Sequence, residues 1–87
     1  MDYQALIHVI IDPLVSNPKE LLIREVPSTK DDEISFLICT QNEDIARLIG
    51  KKGTTANAIR EILSIAGKLE EKKVYIKFET FDEENKE

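Results

Sequence analysis

Two lysines held between two glycines, in the segment LIGKKGTT, are the residues of this chain that could do chemistry together. Gly50 and Gly53 can adopt left-handed backbone angles and let a ligand approach the main chain closely. Lys51 and Lys52 add two cationic heads on flexible stems. An apolar, helix-like stretch lies on each side, so the second helix would present free N–H groups and the positive end of its dipole here. This combination suits a phosphodiester backbone.

The charge around this segment differs from that of the whole chain. The 87 residues carry a net charge of -5, which by itself disfavours a nucleic-acid partner. Between residues 45 and 60, however, four basic residues stand without any acid, so this window carries +4 and the rest of the chain -9. They are Arg47, Lys51, Lys52 and Arg60. We therefore expect a local basic surface on an acidic protein.

The other residues with catalytic potential form no recognisable set. The single histidine, His8, and the single cysteine, Cys39, lie in stretches that read as structural elements, and no third residue that would orient them is identifiable. The sequence shows no Cys/His cluster with metal-ligand spacing. The lysines also precede the second glycine, unlike those of nucleotide-binding GxxxxGK[ST] loops. We therefore predict a binding protein that is not an enzyme and that holds no metal and no cofactor.

Length and composition predict one small domain over residues 1–80, followed by an acidic, disordered tail at 81–87. A lone cysteine cannot form an internal disulfide. The sequence has neither a signal-peptide pattern nor an apolar run long enough to span a membrane. These features favour a cytoplasmic protein without membrane insertion.

Four hydrophobic patterns predict one helix and three strands outside the loop region. Apolar residues at helical spacing predict a first helix over residues 2–14. Two β-prone runs predict antiparallel strands at 21–26 and 34–40, with a polar turn between them. Strict alternation from Val74 to Phe78 predicts a last strand that is buried on one face.

Two further helices are predicted to flank the loop. Thr40 or Asn42 is expected to cap the first, which Gly50 ends. The second is expected to begin near Thr54 and to end at Gly67. The predicted order is therefore α-β-β-α-α-β, an α+β fold with a three-stranded sheet and helices packed on one face.

The segment LIGKKGTTANAIREI resembles the signature of the KH domain, in which an Ile-Gly-x-x-Gly loop joins two helices. The order of elements resembles the type II KH arrangement. The small size, with the residues AIR after the loop, resembles the bacterial KhpA family of single-domain RNA-binding proteins. The likeness extends to about Phe78 and implies a loop of the kind that clamps four nucleotides by their backbone.

The resemblance also implies which residues bind single-stranded RNA. Gly50 and Gly53 would be the loop glycines, and Lys51 and Lys52 the pair that faces phosphates. Ile49 would be the apolar anchor before the loop. The candidates to line the adjacent groove are Arg47, Thr54, Asn57 and Arg60. Because the groove region offers no Trp and few aromatic residues, we expect weak and poorly sequence-selective binding.

Family members are understood to act as homodimers and with a KhpB (Jag-like) KH protein, as RNA chaperones linked to cell-envelope synthesis and cell length. The resemblance implies these partners, and the apolar first helix would offer a shared face. Two alternatives stay open. One is a ribosome-assembly factor of the same fold, similar to the ribosome-binding factor A family, against which the intact Gly-x-x-Gly loop argues. The other is a protein-interaction module in which the loop is merely a turn.

Overall fold

The computed structural model describes residues 1–81 and has the predicted order of elements. The three helices are α1 (Tyr3–Ile11), α2 (Asn42–Ile49) and α3 (Thr54–Leu69), and the strands are β1 (Leu22–Val26), β2 (Glu33–Thr40) and β3 (Lys73–Thr80). Strand β2 is central, antiparallel to β1 and parallel to β3. The α+β, type II KH-like fold class is thus confirmed. The predicted acidic tail lies, from residue 82 onwards, outside the described residues.

Alternation along β2 and β3 decides which face of the sheet the helices cover. Phe36, Ile38 and Thr40 of β2 are buried, and Ile76 of β3 pairs with Phe36 on the same face. The helices complete this core with fully buried apolar side chains: Ile7 and Ile11 of α1, Leu48 of α2, and Leu63 of α3. Burying each such side chain contributes about 1.5–3 kcal/mol. The other face of the sheet carries no helix among the described residues.

Helix α1 is shorter than predicted. Asp2 begins it by accepting a hydrogen bond from the Ala5 N–H at 3.1 Å. It ends at Ile11 because Pro13 cannot donate to the helical ladder, and residues 12–14 form a 3₁₀ turn instead. Tyr3 is buried and packs against Phe36 with ring centres 6.4 Å apart. The apolar side of α1 therefore serves the core.

The predicted caps of α2 are wrong. Thr40 belongs to β2, where it pairs with Thr80 and is almost completely buried, and Asn42 is already the first helical residue. The N-cap is Gln41, whose side chain makes no capping hydrogen bond. Strand pairing thus takes priority over the local capping pattern.

The predicted end of α3 is also wrong, because the helix continues past Gly67 to Leu69. A Cβ on Gly67 would lie 2.5 Å from the Lys72 carbonyl oxygen, while the Lys72 N–H donates to the Gly67 carbonyl at 2.8 Å. Glycine is needed here for close approach of the turn into β3. The left-handed residue of that turn is Glu71, with φ of 59°.

Candidate nucleic-acid interface

Residues 50–53 form a tight turn between α2 and α3. The Gly50 N–H closes α2 by donating to the Ala46 carbonyl at 2.8 Å, and the Gly53 N–H donates to the Gly50 carbonyl at 3.2 Å. Three of the four residues have positive φ: 76° at Gly50, 56° at Lys52 and 78° at Gly53. Left-handed backbone costs a residue with a side chain about 1–2 kcal/mol, so Lys52 is held in a strained conformation.

The two glycines have different surroundings. A Cβ on Gly50 would overlap the side chain of Thr55 and lie 2.8 Å from its backbone nitrogen. Apart from Gly53 itself and its two chain neighbours, no described residue has an atom within 4 Å of a Cβ built on Gly53. Packing inside the protein therefore requires glycine at position 50, whereas the main chain at Gly53 is open to an approaching ligand.

No acidic side chain of the described residues neutralises the charges of the two loop lysines. Lys51 and Lys52 are exposed, and neither forms an ion pair within residues 1–81. Helix α3 starts directly behind them, with Gly53 as an N-cap that offers no side-chain hydrogen bond and no acid in the first turn. The positive dipole end of α3 thus adds to the two ammonium charges, as at known anion sites.

Arg60 extends the basic surface of the loop along α3 towards β3. Its guanidinium carbon lies 5.6 Å from the ring centre of Phe78, a half-buried residue on the helix-facing side of β3. Thr54 and Asn57 are exposed on the two preceding turns of the helix. We call the surface on which the loop, these three α3 residues and Phe78 lie, where α3 meets the edge strand β3, the groove.

Arg47 and Ile49 lie on α2, before the loop. The Arg47 side chain is mostly exposed, but its Nη1 contacts the Asp44 Oδ1 at 3.1 Å, so a buried carboxylate partly compensates its charge. Ile49 is half-buried as the last residue of α2. Of the predicted basic residues, Arg47 is thus the least available to a phosphate.

Asp44 is a buried, hydrogen-bonded residue of α2 whose structural role the sequence pattern did not reveal. This buried residue accepts hydrogen bonds from the Ser16 N–H and Oγ, both at 2.9 Å, and from the Asn17 N–H at 3.3 Å. The Ser16 backbone hydrogen bond is the main cause that lowers the pKa of Asp44, against the opposing effect of burial. These hydrogen bonds hold the segment after α1 against α2, the helix that leads into the loop.

Phe78 was also missed, since its alternation marked it only as a core residue. Its position on β3, which is an edge strand of the described sheet, leaves it half-buried at the groove. The only sequence signal was an aromatic residue near the end of the last strand. That signal becomes informative only when β3 is known to lie beside α3.

His8 and Cys39 lie on opposite sides of the sheet. His8 is on α1, where its Nδ1 lies 2.9 Å from Asp12 Oδ1, and Cys39 is on the face of β2 that points away from the helices. Within residues 1–81, no three His, Cys, Asp or Glu side chains are grouped to hold a metal ion. No helix of that part of the chain has the length and apolar character needed to cross a membrane.

Comparison with known proteins places these residues in a family context. Residues 4–78 match the family model described as KhpA/KhpB, KH domain, a range that contains every residue of the groove and loop. The chain is 39% identical over 79 residues to RNA-binding protein KhpA of Bacillus subtilis, covering 91% of this chain and 93% of that protein.

Other curated relatives show the same pattern. RNA-binding protein KhpA of Listeria monocytogenes serovar 1/2a is 34% identical over 71 residues, which cover 82% of this chain and 91% of that protein. RNA-binding protein KhpA of Clostridium perfringens is 32% identical over 73 residues, with 84% and 95% covered. No solved structure matched the chain.

Proposed function

Because the chain belongs to the KhpA/KhpB KH-domain family, we propose that it grips single-stranded RNA by the sugar–phosphate backbone at residues 50–53. One observation carries this proposal. Two exposed lysines that form no ion pair with residues 1–81, and the open main chain of Gly53, converge on the N-terminus of α3, which has no side-chain cap. Such a site recognises negative charge without reading a base.

The groove supports low sequence selectivity. Phe78, the aromatic residue of the groove, has the Arg60 guanidinium over its ring, so little ring surface is left for a base. Arg60 offers a third cation to the backbone on the way along α3. Binding that is governed by phosphates suits an RNA chaperone, which must act on many sequences.

The surroundings of the two residues that could have been catalytic support a binding function and not an enzyme. The sheet separates His8 from Cys39, so the two cannot act as base and nucleophile on one substrate. Lys51 and Lys52 are exposed on a turn, whereas nucleophilic lysines are typically desolvated in apolar pockets.

Self-association is the second part of the proposal, and α3 supports it better than α1 does. Three large apolar side chains of α3 are exposed: Ile62 at 43%, Ile65 at 62% and Leu69 at 77%. With Ala58 they follow spacings of four, three and four residues. This series of spacings is the same from either end of the helix. An α3 helix of a second copy, packed antiparallel, would therefore place an apolar residue opposite each of these four residues.

A KhpB (Jag-like) partner would cover the same stripe of α3, defined by residues 58, 62, 65 and 69. We propose that such a pair, like the homodimer, leaves both loops open at the opposite ends of the paired helices. The cell-envelope and cell-length role that the resemblance implies would then depend on RNA held by the pair.

The decisive experiment is a double charge reversal in the loop. Lys51→Asp with Lys52→Asp removes no core contact and keeps both glycines, so stability should change by no more than about 0.5 kcal/mol. Binding of a fluorescein-labelled single-stranded RNA, followed by anisotropy, should collapse. Thermal unfolding of the same sample shows that the variant is folded.

The matched control is Lys19→Asp with Arg24→Asp, which makes the same charge change at two exposed residues outside the loop. Equal losses of RNA affinity in both double variants would show that the RNA is attracted by positive charge in general and is not bound at the loop. Unchanged RNA affinity in a folded loop variant would favour a protein-interaction module. Binding only to ribosomal subunits would favour an assembly factor.

A further inference from the structure

We propose a second RNA contact at the far end of α3, where a base stacks on Tyr75 beside Lys72 and Lys73. The inference rests on the proposed RNA-binding function and extends the path of the bound RNA beyond the loop. Nothing in the sequence pattern marked this place, because Tyr75 was assigned only to the alternation of the last strand.

A cavity of about 450 Å³ marks the site. It opens at the free edge of β3, where Ser64 and Lys68 of α3 and Val74 line it from the helix-facing side and Tyr75 lines it from the other face of the strand. A tight turn joins α3 to β3, so the two run in opposite directions. The loop and the cavity therefore lie at the two ends of one α3–β3 junction, with the contact between Arg60 and Phe78 between them.

The distance between the loop and the cavity suits an RNA strand that is longer than the loop alone can bind. Lys68 lies fifteen positions after Gly53, the N-cap of α3, which corresponds to roughly 22 Å along the helix axis. A KH loop engages about four nucleotides. Nucleotides beyond those four can follow the junction and reach the cavity.

Tyr75 offers the ring face that the groove lacks. It is 49% exposed on the face of the edge strand β3 that no helix covers, and its partner on β2 is the small residue Ser35. The other tyrosine, Tyr3, is buried and donates its hydroxyl hydrogen bond to Glu70 at 2.6 Å. Stacking on an exposed aromatic side chain holds bases of any type.

Lysines supply the charge for the phosphates that flank the stacked base. Lys68, Lys72 and Lys73 line the cavity, together with the acids Asp32 and Glu71, which leaves one excess positive charge. Lys68 and Lys73 form no ion pair within residues 1–81, whereas Lys72 interacts electrostatically with the nearby Glu70. The acids keep this contact weaker than the loop, so it acts as a secondary anchor.

Tyrosine fluorescence tests the inference directly, since the chain has two tyrosines and no tryptophan. Titration with an oligouridine of about ten nucleotides should quench Tyr75 emission, whereas a tetranucleotide should bind without quenching. Tyr75→Ala should weaken binding of the longer RNA by at least about fivefold and leave the tetranucleotide unaffected. Tyr75→Phe is the matched control, which keeps the affinity but loses the quenching signal.

The outcomes separate this inference from the proposed function. If the longer RNA binds by anisotropy and the loop variant loses it, but Tyr75→Ala is neutral and no quenching occurs, the second contact is overturned and the loop site stands. If neither RNA binds the wild-type protein, both proposals fail. Thermal unfolding of Tyr75→Ala confirms that a weaker affinity does not reflect an unfolded protein.

Discussion

The backbone of Gly50 lies directly against Thr55, so that a Cβ at position 50 would overlap the threonine side chain and come 2.8 Å from its backbone nitrogen. Thr55 is the second residue of α3, and Gly50 is the residue that ends α2. This contact fixes how the two helices meet. It makes the two glycines of the loop unequal, although they look equivalent in the sequence.

We therefore predict different costs for alanine at the two glycines. Gly50→Ala meets both the contact with Thr55 and an unfavourable φ, and should lower the free energy of unfolding by about 2–4 kcal/mol. Gly53→Ala meets only the unfavourable φ, which should cost about 1–2 kcal/mol. Urea denaturation of the two variants measures both values. Equal losses would show that the close approach at Gly50 does not exist.

Local patterns were sufficient to predict the loop and its neighbours. Gly-x-x-Gly between two apolar helical stretches, with β-prone runs before and after, predicts the order of elements without any knowledge of distant contacts. The predicted candidates from Thr54 to Arg60 lie on α3 because their helical spacing is a local property.

Contacts between distant residues could not be predicted in this way. The hydrogen bond from Ser16 to Asp44 joins residues 28 positions apart, and no spacing rule connects them. Gly67 looked like a helix end because glycine is common there, but its role is set by the Lys72 carbonyl after the turn. The parallel pairing of β2 with β3 likewise follows from the path of the chain, which alternation does not encode.

The salt dependence of RNA binding should report three phosphate contacts. Lys51, Lys52 and Arg60 are available as cations, whereas Arg47 is compensated by Asp44. For single strands this predicts a slope of log affinity against log salt of about -2 for a tetranucleotide. Anisotropy titrations at several salt concentrations measure it. Arg47→Gln should leave the slope unchanged, and a flat response in the wild-type protein would contradict binding at the loop.

Asp44 should make the stability of the fold sensitive to acid. The Ser16 backbone hydrogen bond lowers its pKa from the ordinary value of 3.8, so the folded state holds the charged form more strongly than the unfolded chain does. The resulting stabilisation is fully present above about pH 5 and is lost as the pH falls through the lowered pKa.

Thermal unfolding between pH 7 and pH 3 tests this linkage. Asp44→Asn should lower the Tm at pH 7, and the difference from the wild-type protein should shrink towards pH 3. Glu43→Gln, an exposed neighbour on the same helical turn, should shift the Tm only slightly. A constant difference between Asp44→Asn and the wild-type protein at every pH would mean that the charge of Asp44 is not what stabilises the fold.

The exposed stripe of α3 should determine whether the protein forms dimers. Ile62→Asp with Ile65→Asp places two charges on residues that are 43% and 62% exposed, so the core remains intact while a shared apolar face is lost. Sedimentation equilibrium at micromolar concentrations should show a dimer for the wild-type chain and a monomer for this variant. Val9→Asp is the matched control, because Val9 is apolar and 73% exposed but lies on α1. A monomeric Val9→Asp protein would instead place the interface on α1, and a monomeric wild-type chain would contradict self-association.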